Sequence, residues 1–232
     1  MRYTPKSLHD HGEMMPYPLS MSGGLTEHLE IESKFDVGTG FVIPDLSGVA
    51  DGSGVTEPEV RLLAAHYFDT SDLRLIAAKI TLRRRTGGPD EGWHLKLPAG
   101  AGARREMQAP LGDSDTAVPP QLASLVSEWV GGEPLRVVAV LETRRTVRNL
   151  TSAGGENLAE VADDLVTGRV PGPGDDPGEP IIWREIEVEL VSGGREILAT
   201  TRDRLVAAGA RPSRFPSKLV RLLGTRAAAA PD

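Results

Sequence analysis

Glu30, Glu32 and Lys34 stand two residues apart in the stretch "EHLEIESKFDV", residues 27–37. If this stretch is a strand, Leu29, Ile31 and Phe35 share one face and the three ionic side chains share the other. Like charges at that spacing repel, so water or a counter-ion must offset them. Water is the simpler answer, because antiparallel sheets often solvate one face and edge strands use charge against aggregation. The same period recurs along the chain. "WREIEVEL" sets Glu185, Glu187 and Glu189 against Ile186, Val188 and Leu190, and "LAEVADDLV" aligns Glu160 with Asp164. "KITLRRR" sets Thr81, Arg83 and Arg85 against Ile80 and Leu82. "WHLKLP" sets His94 and Lys96 against Trp93, Leu95 and Leu97, and "RREMQAP" aligns Arg104, Glu106 and Gln108.

Solvated faces usually mix Thr, Ser, Gln and Lys. Rows of glutamate on some strands and arginine on others point instead to a shared interior, as in a closed barrel whose alternate residues face inward. Charges buried there must be paired or ligated. An acid cluster wants a divalent cation with oxygen ligands. A base cluster wants a polyanion, with Arg as bidentate donor and Lys as point charge. A metal-bound polyphosphate answers both demands. On this reading Glu30 and Glu32 share a face because a cation lies between them and Glu187 or Glu189.

The elements that must position these rows are read from period and breaks. Strands are expected at residues 27–37, 66–69, 79–85, 93–97, 104–110, 136–150, 158–166 and 181–191. Gly- and Pro-rich breaks separate them: "TGGPDEG", "PAGAGA", "TSAGGEN" and the longer "RVPGPGDDPGEP". Helices are expected in "AVPPQLASLVSEWVGG", in "GGREILATTRDRLVAAGA" with Gly209 as its stop, and in "PSKLVRLLG", with a short one in "TEPEVRLLAA". The fold class is α+β, mainly antiparallel β, with a few covering helices. Residues 1–24 read as a flexible tail, 25–224 as one domain and 225–232 as a linker.

Composition limits the function classes. The 232 residues are long enough to bury a core, and a net charge of −7 makes a general nucleic-acid binder unexpected. No cysteine is present, which excludes disulfides, thiolate metal sites and cysteine nucleophiles and fits the cytoplasm. No apolar run approaches membrane-spanning length. His28, His66 and His94 read as ordinary strand residues, since no histidine pair has a metal-binding spacing. "GGPDEG" is a turn rather than a phosphate loop, and no nucleophile elbow is present.

In order along the chain, "EIESK", "YFDTSDLRLIAAKITLRRR", "WHLKLP", "REMQAP", "TRRTV", "AEVADD", "EIEVEL" and "PSKL" resemble the motifs of the CYTH, or triphosphate tunnel metalloenzyme, superfamily, over about residues 27 to 224. The resemblance implies an eight-stranded antiparallel β-barrel tunnel and hydrolysis of inorganic, thiamine or nucleoside triphosphates, or cyclisation of ATP. It implies substrate-binding bases at Lys34, Arg83, Arg85, Lys96, Arg104, Arg145 (with Arg144 the rival) and Lys218. It implies metal acids at Glu30, Glu32, Glu160, Asp164 (with Asp163 the rival), Glu185, Glu187 and Glu189. The catalytic set is Glu30, Glu32, Lys34, Glu187 and Glu189, with Mg2+ or Mn2+ as cofactor. Family members often carry a small residue where Lys79 stands. The ending resembles CYTH domains that precede a helical CHAD domain, a domain associated with polyphosphate; no such domain is in this chain. Three functions compete: a triphosphatase, an adenylate cyclase and a non-catalytic polyphosphate-binding module.

Overall fold

Segments of period two become strands wherever each face finds its own environment. Eight do so in the computed structural model, which describes residues 19–20, 24–50, 52–100 and 103–224. They are β1 (Thr26–Val37), β2 (Glu59–Asp69), β3 (Thr81–Thr86), β4 (Gly92–Pro98), β5 (Ala103–Ala109), β6 (Arg136–Thr151), β7 (Asn157–Arg169) and β8 (Ile181–Leu190). Pairing runs β1–β8–β7–β6–β2–β3–β4–β5, and β5 returns to β1. Every pair is antiparallel, so the sheet closes into an eight-stranded barrel. Closure removes the sheet edges and turns alternate side chains inward.

The outward apolar rows need cover. Helix α4 (Arg195–Ala207) lays Ile197, Leu198 and Leu205 against Phe35, Val161, Ile186 and Val188. Leu122, Val126 and Val130, from α2 (Pro120–Leu125), α3 (Ser127–Val130) and the residue between them, cover Leu82, Trp93, Leu95 and Met107. Leu82, Trp93 and Leu95 are fully buried, and truncating such a leucine to alanine costs about 2–5 kcal/mol. A short α1 (Arg74–Ala77) starts from the Asp69 carboxylate, which accepts from the backbone N–H groups of Thr70, Leu75 and Ile76. Helix α5 (Lys218–Leu223) begins at Ser217, whose hydroxyl accepts from the Val220 N–H. Its Leu219, Leu222 and Leu223 pack with Ala65, Tyr67, Leu141, Val166 and Trp183. Part of the barrel end is therefore plugged by apolar packing, and the charged interior begins at Lys218.

Several sequence expectations are corrected. Residues 56–65 were expected as a short helix; Glu59–Asp69 is a strand paired with β6 along its whole length. Glu, Arg, Leu and Ala favour helices in isolation, but the gap between β6 and β3 can be closed only by a strand. The expected strand at Lys79 starts at Thr81 instead, because Lys79 takes a left-handed φ of 62° in the turn after α1. Part of the expected N-terminal tail is paired: Leu19 and Ser20 lie opposite Glu27 and Thr26. The rest of that tail up to residue 23, and residues 225–232, lie outside the described residues. Gly87 in the β3–β4 turn has φ 79°, and a Cβ there would meet the Leu62 carbonyl oxygen at 2.1 Å. Among the described residues no helix is long and apolar enough to cross a membrane.

Candidate functional site

The barrel interior holds a cavity of about 260 Å³. Its walls follow the strand order. On one arc, β1, β8 and β7 contribute Glu30, Glu32, Glu187, Glu189 and Glu160, with Lys34 among them. On the opposite arc, β6, β2, β3 and β4 contribute Arg145, Arg61, Arg83, Arg85 and Lys96. Strand β5 closes the seam with Arg104, Glu106 and Gln108, and Lys218 enters from α5. Acid and base are thus sorted by strand, which favours a ligand with an anionic part and a cationic part.

On the acidic side most charges are internally matched. Lys34 Nζ donates to Glu32 at 2.8 Å and also to Glu187. Burial opposes the Lys34 charge, but Glu187 and Glu32 outweigh it and raise its pKa. Arg145 forks onto both oxygens of Asp164 at 2.8 and 2.7 Å and reaches Glu187 at 2.8 Å. Lys218 Nζ sits 2.9 Å from Asp164, 2.8 Å from Glu185 and 2.6 Å from Glu187. The structure therefore gathers Asp164 and Glu185, expected as metal acids, around the Lys218 ammonium rather than along the cavity wall. Their ligand atoms are close enough together with Glu187 to hold an ion, and the lysine already supplies that cation. Glu160 does line the cavity, near Arg61 at 3.5 Å and Arg145 at 3.8 Å.

Among the described residues Glu30 is matched at one oxygen alone and Glu189 at neither. Glu30 is 4% exposed; Lys96 takes its Oε1 at 2.6 Å, while its Oε2 has no partner among the described residues. Burial pushes Glu30 up to about 8, against the pull of Lys96 and with Glu106 and Glu189 adding repulsion. Glu189, next along the wall, forms no hydrogen bond or ion pair among the described residues. Burial raises its pKa, and Glu32, Glu106 and Glu187 add to the rise. An orphaned buried oxygen beside an unpaired carboxylate fits a hard divalent cation, which takes oxygen ligands.

On the basic side the deficit is of anions. Among the described residues Arg83 is bound only to the Tyr67 hydroxyl, at 3.4 Å, and its Nε is buried without a partner. Arg85 is 5% exposed, meets the Asp90 carboxylate of the β3–β4 turn, and also has an orphaned Nε. Burial, then the neighbouring Arg83 and Arg145, push Arg85 down to about 9. A phosphate placed there would supply the missing acceptors. Arg104 lines the cavity but spends its guanidinium on the Lys79 carbonyl at 2.9 Å.

The rival residues of each pair face different ways. Arg145 lines the cavity, whereas Arg144 is exposed; Asp164 is buried against Arg145 and Lys218, whereas Asp163 pairs outside with Arg184 at 2.8 Å. Arg84 pairs outside with Asp115 at 2.5 Å. Sequence reasoning missed Arg61, because the segment before Tyr67 was read as helix; the period counted back from Tyr67 through Ala65 and Leu63 reaches it. It also read His28 as an ordinary strand residue, whereas His28 lines the cavity two residues before Glu30. Its Nε2 lies 2.9 Å from Glu106 Oε2.

Known proteins agree with this architecture. The CYTH domain family matches residues 28–214, and the chain belongs to that family. Two proteins named as uncharacterized, from Mycobacterium tuberculosis strains CDC 1551 / Oshkosh and ATCC 25618 / H37Rv, are each 43% identical over 207 residues. The match takes in 85% of this chain but only 40% of the length of these relatives. Among solved structures, a candidate adenylate cyclase from Bacillus halodurans superposes with a TM-score of 0.51 at 19% identity. That match covers 85% of this chain and 99% of the other. At that identity the likeness bears on the fold alone.

Proposed function

We propose that the chain is a metal-dependent phosphoanhydride hydrolase that cleaves tripolyphosphate or a related triphosphate within the barrel. The observation that carries this is the double deficit in one cavity: orphaned carboxylate oxygens on the β1–β8 arc and underpaired arginines on β3. Glu30, Glu32 and Glu189, with Glu187, would hold Mg2+ or Mn2+. When bound, such an ion polarises a phosphoryl oxygen and lowers the pKa of water. Arg83 and Arg85 bind the phosphate oxygens, and Lys96 and Arg145 flank them. Lys34 and Lys218 hold Glu32 and Glu187 ionised and in place. Water attacks the terminal phosphorus in line, one of its protons stays on the new orthophosphate and the other passes to solvent, the bridging oxygen leaves with pyrophosphate, and the arginines offset the charge spread over the equatorial oxygens. Nothing in this scheme calls for a covalent intermediate. The reading places the protein in the cytoplasm, and a CHAD-like polyphosphate partner would suit the same ligand.

A second reading, an organic triphosphate as substrate for hydrolysis or cyclisation, draws on one observation. Beyond Lys34, Thr81 and Arg104 the cavity adjoins a recess of about 600 Å³ that includes Ile76, Pro98, Phe215 and Pro216. Purified protein should be given tripolyphosphate, ATP, thiamine triphosphate and long polyphosphate, with Mg2+, Mn2+ or EDTA. Orthophosphate, pyrophosphate and cyclic AMP should each be measured. Fastest turnover is expected on tripolyphosphate. Cyclic AMP as the main product from ATP would transfer the site to the cyclase reading.

A further inference from the structure

Residues 87–91, "GGPDE", join β3 to β4 and are not held in place by their own backbone. Gly87 and Gly88 take φ 79° and 81°, and Pro89 has no N–H to donate. Among the described residues the segment makes no backbone–backbone hydrogen bond outside the strand ladder. One residue, Asp90, docks it on the barrel. Its carboxylate meets the Arg85 guanidinium; its carbonyl accepts from Arg85 Nη2 at 3.2 Å and lies 3.0 Å from His94 Nε2. Arg85 and His94 are buried, and Pro89 and Asp90 themselves line the cavity. The turn thus sits against one end of the cavity on side-chain contacts.

The Arg85–Asp90 pair differs from other pairs of the interior. Arg145 with Asp164, and Lys34 with Glu187, join side chains fixed on neighbouring strands, and all four are largely buried. Arg85 is 5% exposed, but the Asp90 side chain is 49% exposed and stands on a turn. A carboxylate half in water gains little from its pair and can swing outward at small cost. A buried guanidinium, by contrast, must keep an anion. Asp90 engages Nη2, while Arg85 Nε is buried without a partner among the described residues. A phosphate would reach more of the same planar fork, and its charge would repel the Asp90 carboxylate.

We propose that Asp90 is a built-in competitor for the phosphate position on Arg85, and that the β3–β4 turn is a gate released when a phosphate displaces the Asp90 carboxylate. This rests on the reading of Arg83 and Arg85 as phosphate ligands. Ligand affinity is then set partly by a residue that touches no ligand, and occupancy of the cavity is reported on the surface by the turn.

The chain has no cysteine, so Glu91→Cys places a single nitroxide label on the exposed turn. The probe is tripolyphosphate, added in EDTA and again with Mg2+, with binding followed by calorimetry. Saturation in whichever condition binds should sharpen the label's paramagnetic resonance spectrum, as the turn leaves the barrel. With Asp90→Asn added, the spectrum should be sharp before any ligand, and tripolyphosphate should bind about two- to fivefold more tightly. In an Arg85→Ala background, Asp90→Asn should no longer change affinity, a dependence that a merely structural turn residue would not show. If melting shows that Arg85→Ala does not fold, the label and the single Asp90→Asn titration decide alone. A spectrum unmoved at saturation, or an Asp90→Asn affinity equal to or weaker than wild type, would overturn the proposal and leave the phosphate reading intact. No binding of tripolyphosphate to wild type in either condition would end both.

Discussion

Replacing Glu30 by glutamine should stabilise the metal-free protein and remove its response to metal. Glu30 sits at about 8 rather than 4.5, chiefly through burial. The folded state therefore keeps a proton that the unfolded state loses between those values, and wild-type stability must fall as pH rises through that window. At about 1.36 kcal/mol per pKa unit, the rise from 4.5 to about 8 corresponds to an upper bound of about 5 kcal/mol. Glu106 and Glu189 share the repulsion, so one substitution relieves a part of it, roughly 2–3 kcal/mol. Glutamine keeps the shape and can still accept from Lys96. The variant's gain should thus be near zero at pH 4.5 and reach its full value above pH 8. The assay is urea denaturation in EDTA at steps from pH 4.5 to 9, followed by melting with Mg2+ or Mn2+. Added metal should stabilise wild type and leave Glu30→Gln unmoved. A stability difference that stays constant across the pH range would show instead that Glu30 is not ionising against its surroundings.

Arg83→Ala and Arg85→Ala should each weaken tripolyphosphate binding by roughly ten- to a hundredfold, the worth of a charged hydrogen bond. Arg84→Ala, which loses only its outside pair with Asp115, should change it less than about twofold; calorimetry decides. Asp90→Asn frees Arg85 from the turn carboxylate and should tighten binding by about two- to fivefold in the same titration. Lys218→Met leaves Asp164, Glu185 and Glu187 facing one another without their shared cation. It should cost about 3–5 kcal/mol in chemical denaturation at neutral pH, and a near-neutral result would show that these acids do not depend on Lys218.

What the sequence showed and what it hid have one cause. Side chains on β1, β3, β4, β5 and β8 alternate between a mostly ionic row and a mostly apolar one, interrupted by Glu27, Arg84, Arg105 and Arg184, so facing followed from counting by two. Glu30, Arg83, Lys96, Glu106 and Glu187 were therefore legible before any coordinates. Strand β2 breaks the pattern. Val60 and Leu62 are exposed on its outer face while Leu63, Ala65 and Tyr67 are buried, so apolar residues on both sides mimicked helical spacing and concealed Arg61. Partner choice was hidden too. That Lys218 would sit among Asp164, Glu185 and Glu187 depends on where α5 docks, which no local period encodes. The contact of His28 with Glu106 depends on the β1–β5 register that places the two opposite one another, 78 positions apart in sequence.

The most direct measurement is product analysis on tripolyphosphate, comparing wild type with Glu189→Gln and Arg83→Ala, each with Mn2+ and then with excess EDTA. Hydrolysis within the barrel predicts one orthophosphate and one pyrophosphate per tripolyphosphate from wild type with metal. It predicts almost none with EDTA or from either variant, although both variants remain folded. Tight binding of tripolyphosphate by wild type with no product under any metal condition would contradict it, and would make the barrel a polyphosphate-binding module instead of an enzyme.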